Sequence, residues 1–408
     1  MLVKTIKLQL YPTPEQIELF RETQSVFTEA CNFVSNYVFE NDFELSQRKL
    51  HDVLYRILRS QFDLQSQMAQ SVIKTVIARY KSVNTNMKQK PYRFRDNNTG
   101  IKHHVKRDMY WLKQPIQYKS KVAVLVRNRN YSLLKTGEYS ISTQQGRVKV
   151  VCDKSNLDYL QQFNDYKLGE AELLERRGKW YLHISASKEV ESLDTNEIKH
   201  VVGIDRGLRY LITAYDEKGK TLFINGQDVI KKRRHFKSLR SELQSKNTKS
   251  SKKRLKAIEK RENRWMNDVN HCISRALVDR YGQNTLFVLE DLIGVTFDTV
   301  NHRKKENRYE HMSWAFFDLE QKLMYKAHQD KSMVVNVSAK YTSQRCPKCG
   351  AIHKENRIKE KHFFKCIQCG YQSNDDRVAG MNIQTLGTWY MSGDMNPKFE
   401  KLEPKLEY

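Results

Sequence analysis

The spacing of hydrophobic and polar positions changes several times along the chain. Residues 2–10, LVKTIKLQL, alternate Leu2, Lys4, Ile6, Leu8 and Leu10 against mixed positions, which predicts a strand. Pro12 and Pro14 end it, and Thr13 with Gln16 forms a capping-box pattern for a following helix. Ile17, Phe20, Phe27, Cys31, Val34 and Val38 then recur at helical spacing, and Met68, Val72, Val76 and Tyr80 repeat the period in a helical region ending near Met87. From Pro91 to about Glu191 the period shortens. VAVLVRNRNYSLL, EYSIST, RVKVVC, EAELLERR and KWYLHISASK read as strands, with Gly137, Gly146 and Gly178 as turns. A lone first strand is not stable by itself, so it is expected to join this β-module, with the helical region as an insertion.

After His200 the pattern is strand, hairpin, long helix, strand, helix, strand, the alternation of an α/β core. Residues 201–225 predict three strands, and Lys231 to about Tyr281 a helical stretch broken near Asn247. Strands follow at 285–290 and 332–338, with a helix between them from about Ser313 carrying Phe316, Leu319, Leu323 and Ala327 on one face. A last helix starts near Asp376. Residues from Gly393 on are charged and Pro-containing, and a loosely ordered tail is expected.

Charge narrows the partners. The 408 residues carry a net charge of +25, which suits a polyanion, because Lys and Arg neutralise phosphates and release condensed counterions. No 18-residue apolar run and no charged-then-apolar leader is visible, so an intracellular protein is expected. Seven cysteines argue for reduced thiols and a metal site rather than a disulfide scaffold: Cys31, Cys152 and Cys272 lie singly in apolar contexts, and four cluster late.

Those four form two matched knuckles, Cys346-Pro-Lys-Cys349-Gly and Cys366-Ile-Gln-Cys369-Gly, sixteen residues apart. Such spacing closes a tetrahedral, structural Zn²⁺ site. A redox dithiol is the alternative for either knuckle alone. His353 and His362 read as surface residues. Three carboxylates are the other candidate chemistry. Asp205 ends a hydrophobic strand, Glu290 closes a second one with Asp291 as a competitor, and Asp376 opens the last helix. Taken singly, each has a structural reading; Asp375 and Asp376, for example, suit an N-cap. Together they compose a set able to hold two Mg²⁺ ions for phosphodiester cleavage.

The chain resembles the TnpB-type proteins of insertion sequences, the RuvC-like, zinc-ribbon OrfB family related to type V CRISPR effectors. The resemblance is carried by KTIKLQLYPTPEQ, GIDRGLRYLIT, VLEDL, SWAFFDLEQKLMYKA, VSAKYTSQRCPKCG and CGYQSNDDRVAGMNI. It implies a multidomain α+β protein: a RuvC/RNase H-like α/β nuclease core with an inserted zinc ribbon, a β-barrel-like wedge module and a helical recognition module. The implied boundaries are 1–12 for the first wedge strand, 13–90 for the helical module, 91–198 for the wedge and 199–341 for the nuclease core. The zinc ribbon would occupy 342–373, the final core helix 374–392 and the tail 393–408.

The resemblance also implies RNA-guided DNA cleavage at a single site, with a guide RNA from the transposon end, a double-stranded DNA target and recognition of a short adjacent motif. A monomer is favoured. Asp205, Glu290 and Asp376 match the catalytic, Mg²⁺-binding carboxylates, and Cys346, Cys349, Cys366 and Cys369 the zinc ligands. One departure is Val378, where the family has an Asn; Asn382 is retained. A non-cleaving RNA-guided repressor and a miniature type V CRISPR effector are the alternatives. Nucleic-acid contacts are expected from the basic stretch 231–264, notably Lys231, Lys232, Arg233, Arg234, Lys252, Lys253 and Arg254. Tyr92, Arg93 and Arg95 interleave aromatic and cationic groups. Gln70 matches a position that reads the adjacent motif, with Lys74 one turn on. Residues 301–311 match a gating loop.

Overall fold

The computed structural model describes residues 2–89, 91–96, 99–152, 159–190, 193–292 and 316–401. It divides into two compact units, residues 1–189 and 190–408.

The first unit is built on a seven-stranded, barrel-like antiparallel sheet of order β4-β8-β9-β1-β7-β6-β5. Its strands are β1 (Leu2–Tyr11), β4 (Val122–Leu125), β5 (Tyr131–Leu133), β6 (Tyr139–Thr143), β7 (Gly146–Cys152), β8 (Lys167–Arg176) and β9 (Lys179–Lys188). β1 sits in the middle: Leu2 to Leu10 pair with Lys188 to Trp180, and Leu10 and Tyr11 also pair with Cys152 and Val151. The first strand thus completes the β-module, and the alternation works as expected, with Leu2, Ile6, Leu8 and Leu10 buried.

Three helices are inserted between β1 and the rest: α1 (Pro14–Glu40), α2 (Gln47–Gln61) and α3 (Ser66–Gln89). α1 starts at the expected capping box, in which Thr13 Oγ1 accepts from Gln16 N–H and Gln16 Oε1 from Thr13 N–H. Phe20, Phe27, Cys31, Val34 and Val38 on α1 join Met68, Val72, Val76 and Tyr80 on α3 in the core under the sheet. Burying each large side chain contributes roughly 1.5–3 kcal/mol. Two polar side chains in this core bond to main-chain carbonyls: Gln24 donates to the Leu173 carbonyl at 2.9 Å, and Tyr80 to the Ser35 carbonyl at 3.0 Å. A separate two-stranded ribbon, β2 (Tyr92–Arg95) with β3 (Lys102–Val105), follows α3.

The second unit carries a five-stranded sheet of order β12-β11-β10-β13-β14. β11 (Tyr210–Asp216) runs antiparallel to both its neighbours, β10 (His200–Asp205) and β12 (Thr221–Asn225). β13 (Thr285–Asp291) and β14 (Met333–Ser338) continue from β10 in parallel. The basic stretch forms α4 (Gln227–Lys246), α5 (Lys249–Ile258) and α6 (Arg261–Tyr281), with the break at Asn247 in the left-handed conformation. α6 and α7 (Phe316–Gln329) cover one face through Met266, Ile273, Leu277, Leu319, Leu323 and Ala327. The last helix, α8 (Asp375–Met391), covers the other through Ile383 and Leu386. A three-stranded ribbon, β15 (Arg357–Ile358), β16 (Phe363–Lys365) and β17 (Gln372–Asn374), leads into α8. Among the described residues no helix is long and apolar enough to cross a membrane.

Three expectations need correction here. The chain after Gly393 is not loose throughout: Phe399 is buried, 5.2 Å edge-on from Trp389 and under the Arg345 guanidinium. Asn374, not either aspartate, caps α8, its side chain accepting from Arg377 N–H. Cys272 is exposed rather than in an apolar context, because it falls on the outer side of α6. Residues 301–311 lie outside the described residues.

α8 can approach β10 closely because the strand carries Gly203 where they cross. A Cβ on Gly203 would stand 2.3 Å from the Gly380 carbonyl oxygen and from Gln384 N. Gly203→Ala is therefore expected to lift α8 and cost about 3 kcal/mol or more, read as a lower midpoint in denaturant. Gly178→Ala, where a Cβ meets open space, carries only its turn-conformation penalty of about 1 kcal/mol.

Candidate metal centres and nucleic-acid site

The fold delivers the three carboxylates to one end of the sheet. Asp205 is the last residue of β10, and the β10–β13 register, with Ile204 beside Leu289, sets Glu290 next to it. Asp376 comes down in the first turn of α8, fixed by the glycine crossing. Their charges interact directly. Burial, and then the charges of Glu290, Asp376 and Asp375, hold the Asp205 carboxyl well above the usual carboxylate range against the pull of Arg357. Burial also raises Glu290, opposed by the Thr342 hydrogen bond and by Arg206 and Arg357. Burial and Asp375 raise Asp376, opposed by Arg357, His362 and Arg209. Asp291, the competitor to Glu290, is exposed.

Several further residues hold this arrangement, of which only Asn382 stood out in the sequence. Arg206 is buried; it donates to the Glu290 carbonyl at 2.6 Å and to Glu320 at 2.8 Å. Thr342 donates its hydroxyl proton to Glu290 Oε1. The fully buried Asn382 donates to the carbonyls of Thr342 and Arg345, at 2.7 and 2.8 Å, and so ties α8 to the segment carrying Thr342. Arg357 reaches from β15 to Asp375 at 2.8 Å and stands 3.9 Å from Asp376. Arg206 adjoins Asp205 in the chain, but nothing in the sequence marks Thr342 or Arg357. His362, read as a surface residue, is half-buried with Nδ1 3.6 Å from Asp375. Ligand atoms of His362, Asp375 and Asp376 lie within 4.8 Å of one another, a group that leaves out Asp205 and Glu290. Beside it a cleft of about 570 Å³ is lined by Arg209, Gln227, Arg357, Lys359 and Asp376.

The donor set suits hard divalent cations, which take oxygen ligands. A cation there would offset the burial and repulsion that push these carboxyls above the usual range. The sign follows from linkage: a carboxyl with a raised folded value loses stability for the fold as pH climbs from the ordinary 3.8 through that raised value. In chelator at neutral pH, Asp205→Asn is thus expected to unfold at a higher temperature than the parent, by roughly 2–4 °C per kcal/mol released. Added Mg²⁺ should stabilise the parent and leave the variant unmoved, measured by differential scanning fluorimetry.

The four cysteines do converge. Cys346 and Cys369 sulfurs are 3.5 Å apart, as are those of Cys349 and Cys366, and all four lie within 4.8 Å. Thiolates around one zinc at about 2.3 Å would be about 3.8 Å apart, so the cluster fits a Zn²⁺ ion. The knuckles are equivalent: Gly350 N–H donates to the Cys346 carbonyl at 2.9 Å and Gly370 N–H to the Cys366 carbonyl at 3.0 Å. Both glycines are in the left-handed region. Val378, the departure from the family pattern, is buried against Cys346, Phe364 and Cys366, so it serves the packing of α8 under this ribbon. One zinc per chain is expected on metal analysis. Cys346→Ser should lose it and lower the Mg²⁺ affinity of the carboxylates, because the ribbon carries Arg357.

Among the expected nucleic-acid contacts, Arg233 is a correction. It is buried and paired with Glu262 at 3.3 Å, a structural ion pair between α4 and α6. Lys231, Lys232, Arg234, Lys252, Lys253 and Arg254 are exposed, with Lys232 4.5 Å from the centre of the Trp265 ring. Tyr92 and Arg93 are exposed on β2, and Arg95 ends that strand. On α3, Lys74 is exposed and Gln70 half-buried.

Two family models match the second unit and its approach. Residues 183–294 match the model described as a probable transposase, OrfB_IS605, and residues 316–383 the Cas12f1-like TNB domain. The CRISPR-associated endodeoxyribonuclease Cas12f1 of Sulfoacidibacillus thermotolerans is 32% identical over 238 residues, covering 54% of this chain and 53% of that protein. The putative RNA-guided DNA endonuclease InsQ of Escherichia coli (strain K12) is 26% identical over 226 residues, 52% of this chain and 54% of that protein. The chain spans about half the length of these curated relatives. In solved structures, the Cas12f1-sgRNA-target DNA complex aligns with a TM-score of 0.59 at 15% identity, over 91% of this chain and 83% of the other. CasPhi-2 (Cas12j) bound to crRNA and phosphorothioate-DNA aligns at 0.56 and 11% identity, over 98% and 93%. The fold is therefore that of the Cas12 effectors. In sequence the chain is similar to the OrfB, TnpB-like and Cas12f1 proteins.

Proposed function

We propose that the chain is an RNA-guided DNA endonuclease of the TnpB type. The observation that carries this reading is the charge-coupled set Asp205, Glu290 and Asp376 at one end of the five-stranded sheet. The names of the relatives, an RNA-guided DNA endonuclease and Cas12f1 endodeoxyribonucleases, agree with it.

In this reading the three carboxylates hold two Mg²⁺ ions, which when bound supply an activated water and a stabilised leaving oxygen. Arg206 and Thr342 fix where Glu290 points, and Arg357 partly offsets the negative charge. The cysteines hold structural Zn²⁺ and fold the ribbon. The guide RNA, derived from a transposon end, pairs with one strand of a double-stranded target and supplies the sequence specificity, while protein contacts go to backbone and shape. Lys231, Lys232, Arg234, Lys252, Lys253 and Arg254 are assigned to phosphates, and Tyr92, Arg93 and Arg95 to a strand. Gln70 and Lys74 are assigned to the adjacent motif, since Gln pairs bidentately with adenine. The working modules are the wedge (1–12 and 91–198), the helical module (13–90), the nuclease core (199–341 and 374–392) and the ribbon (342–373). The protein acts as a monomer.

The test starts with the RNA that co-purifies when the protein is expressed with its native flanking DNA. A discrete species with a constant scaffold is expected, and it should direct Mg²⁺-dependent cleavage of a matching plasmid. Asp205→Ala should reduce cleavage by at least 10³-fold, an order-of-magnitude figure for losing a charge-stabilising group, and leave RNA binding intact. Undiminished cutting by that variant refutes the site.

A further inference from the structure

The ribbon β2–β3 has two chemically different faces. Its register sets Tyr92 opposite Val105 and Phe94 opposite His103, while the alternate positions pair Arg93 with His104 and Arg95 with Lys102. Because side chains alternate along a strand, one face is aromatic and the other set of positions is cationic or titratable. The aromatic face is extended by Trp111, from the short turn Met109–Trp111. Ring centroids run Trp111 to Tyr92 at 5.9 Å, Tyr92 to Phe94 at 5.8 Å and Phe94 to His103 at 5.0 Å. The last pair is stacked within 19°.

These rings are not core. Tyr92, Phe94 and Trp111 are 48%, 42% and 45% exposed. Among the described residues the ribbon pairs with no other strand, and a two-stranded sheet is marginal without something to pack on. The surrounding charge says what chemistry would cover it. Between Lys88 and Lys113 the sequence holds eight Lys and Arg residues against Asp96 and Asp108. An apolar protein partner would leave those cations unanswered, whereas a nucleic-acid strand offers flat π-faces to the rings and phosphates to the cations.

We infer that the β2–β3 ribbon is a stacking platform for unpaired bases, with Tyr92, Phe94, His103 and Trp111 taking the bases and the Arg93–His104 side taking phosphate. This deepens the nucleic-acid reading above and rests on it. Because every base has a π-face, the platform selects single-stranded over paired nucleic acid and is indifferent to sequence. Guide RNA and separated target DNA share this chemistry.

The experiment uses the full chain, stripped of co-purifying nucleic acid, and fluorescence anisotropy with labelled U20, dT20 and a 20-mer abasic DNA of equal charge. The parent is expected to bind dT20 about tenfold more tightly than the abasic strand. Tyr92→Leu with Phe94→Leu keeps the apolar area and removes the stack, so the preference should collapse while abasic binding stays unchanged. Arg93→Ala with His104→Ala should weaken both strands alike. A tighter complex with U20 than with dT20, lost in the leucine variant, assigns the platform to guide RNA, and the reverse order assigns it to DNA. Should the double variant fold poorly by circular dichroism, Trp111→Ala carries the same test. A parent without base preference, or a leucine variant that keeps it, overturns the inference even if guided cleavage is intact. Base preference in a protein that cleaves with no guide would instead sink the nuclease reading and leave the platform standing.

Discussion

The candidate site depends on a backbone contact between α8 and β10. Gly203 lets the strand touch the helix backbone at Gly380 with no side chain between them, and that distance sets where Asp376 falls relative to Asp205. Neither residue bears any chemistry of its own. Interiors are close-packed and resist displacement, so a methyl group here would move a charged residue about one turn away on a rigid helix. The same contact brings α8 onto the sheet face that Ile383 and Leu386 cover. The packing that stabilises this face therefore also aims the carboxylate.

What the contact assembles is unfavourable by itself. Three carboxylates brought together out of water repel one another and lose hydration, and each is pushed toward its protonated form. The surroundings offset part of this. Arg206 is buried and bonds the Glu290 carbonyl and Glu320, so its charge is spent on alignment as well as on attraction. Arg357 sits mainly on Asp375, which is fully buried and which also accepts from Asp376 N–H. Asp375 thus serves as a bracket between the ribbon cation and the first turn of α8. The partial compensation leaves room for a cation to complete it, as expected of a site that stores instability for function.

Much of this was legible in the chain. β1 could be read from Leu2, Ile6, Leu8 and Leu10, α1 from its capping box and apolar period, and the cysteine cluster from two equal knuckles. These signals are local, set by the two-residue and 3.6-residue periods or by ligand spacing. The residues that escaped reading depend on tertiary placement. Arg233 looks like its neighbours in a basic run, and only the packing of α4 on α6 turns it inward to Glu262. Phe399 lies in a polar tail, and its burial depends on Trp389 and Arg345. Thr342 is far from Glu290 in sequence, and their bond follows from where Asn382 pins the segment that carries Thr342.

The ribbon and the carboxylates therefore form one system. Arg357 lies between the two knuckles, Thr342 just before the first, and Val378 and Asn382 follow Asp376 on the helix that packs under the ribbon. A closed Cys₄ site has no open position for chemistry, yet here it fixes the segment from which Arg357 reaches the acids. Its effect on them is positional: the thiolates fold the ribbon, the ribbon places a guanidinium, and the guanidinium offsets charge that the glycine crossing concentrates. Val378 fits that logic, since its apolar side chain packs against Cys346 and Cys366 and links ribbon and helix.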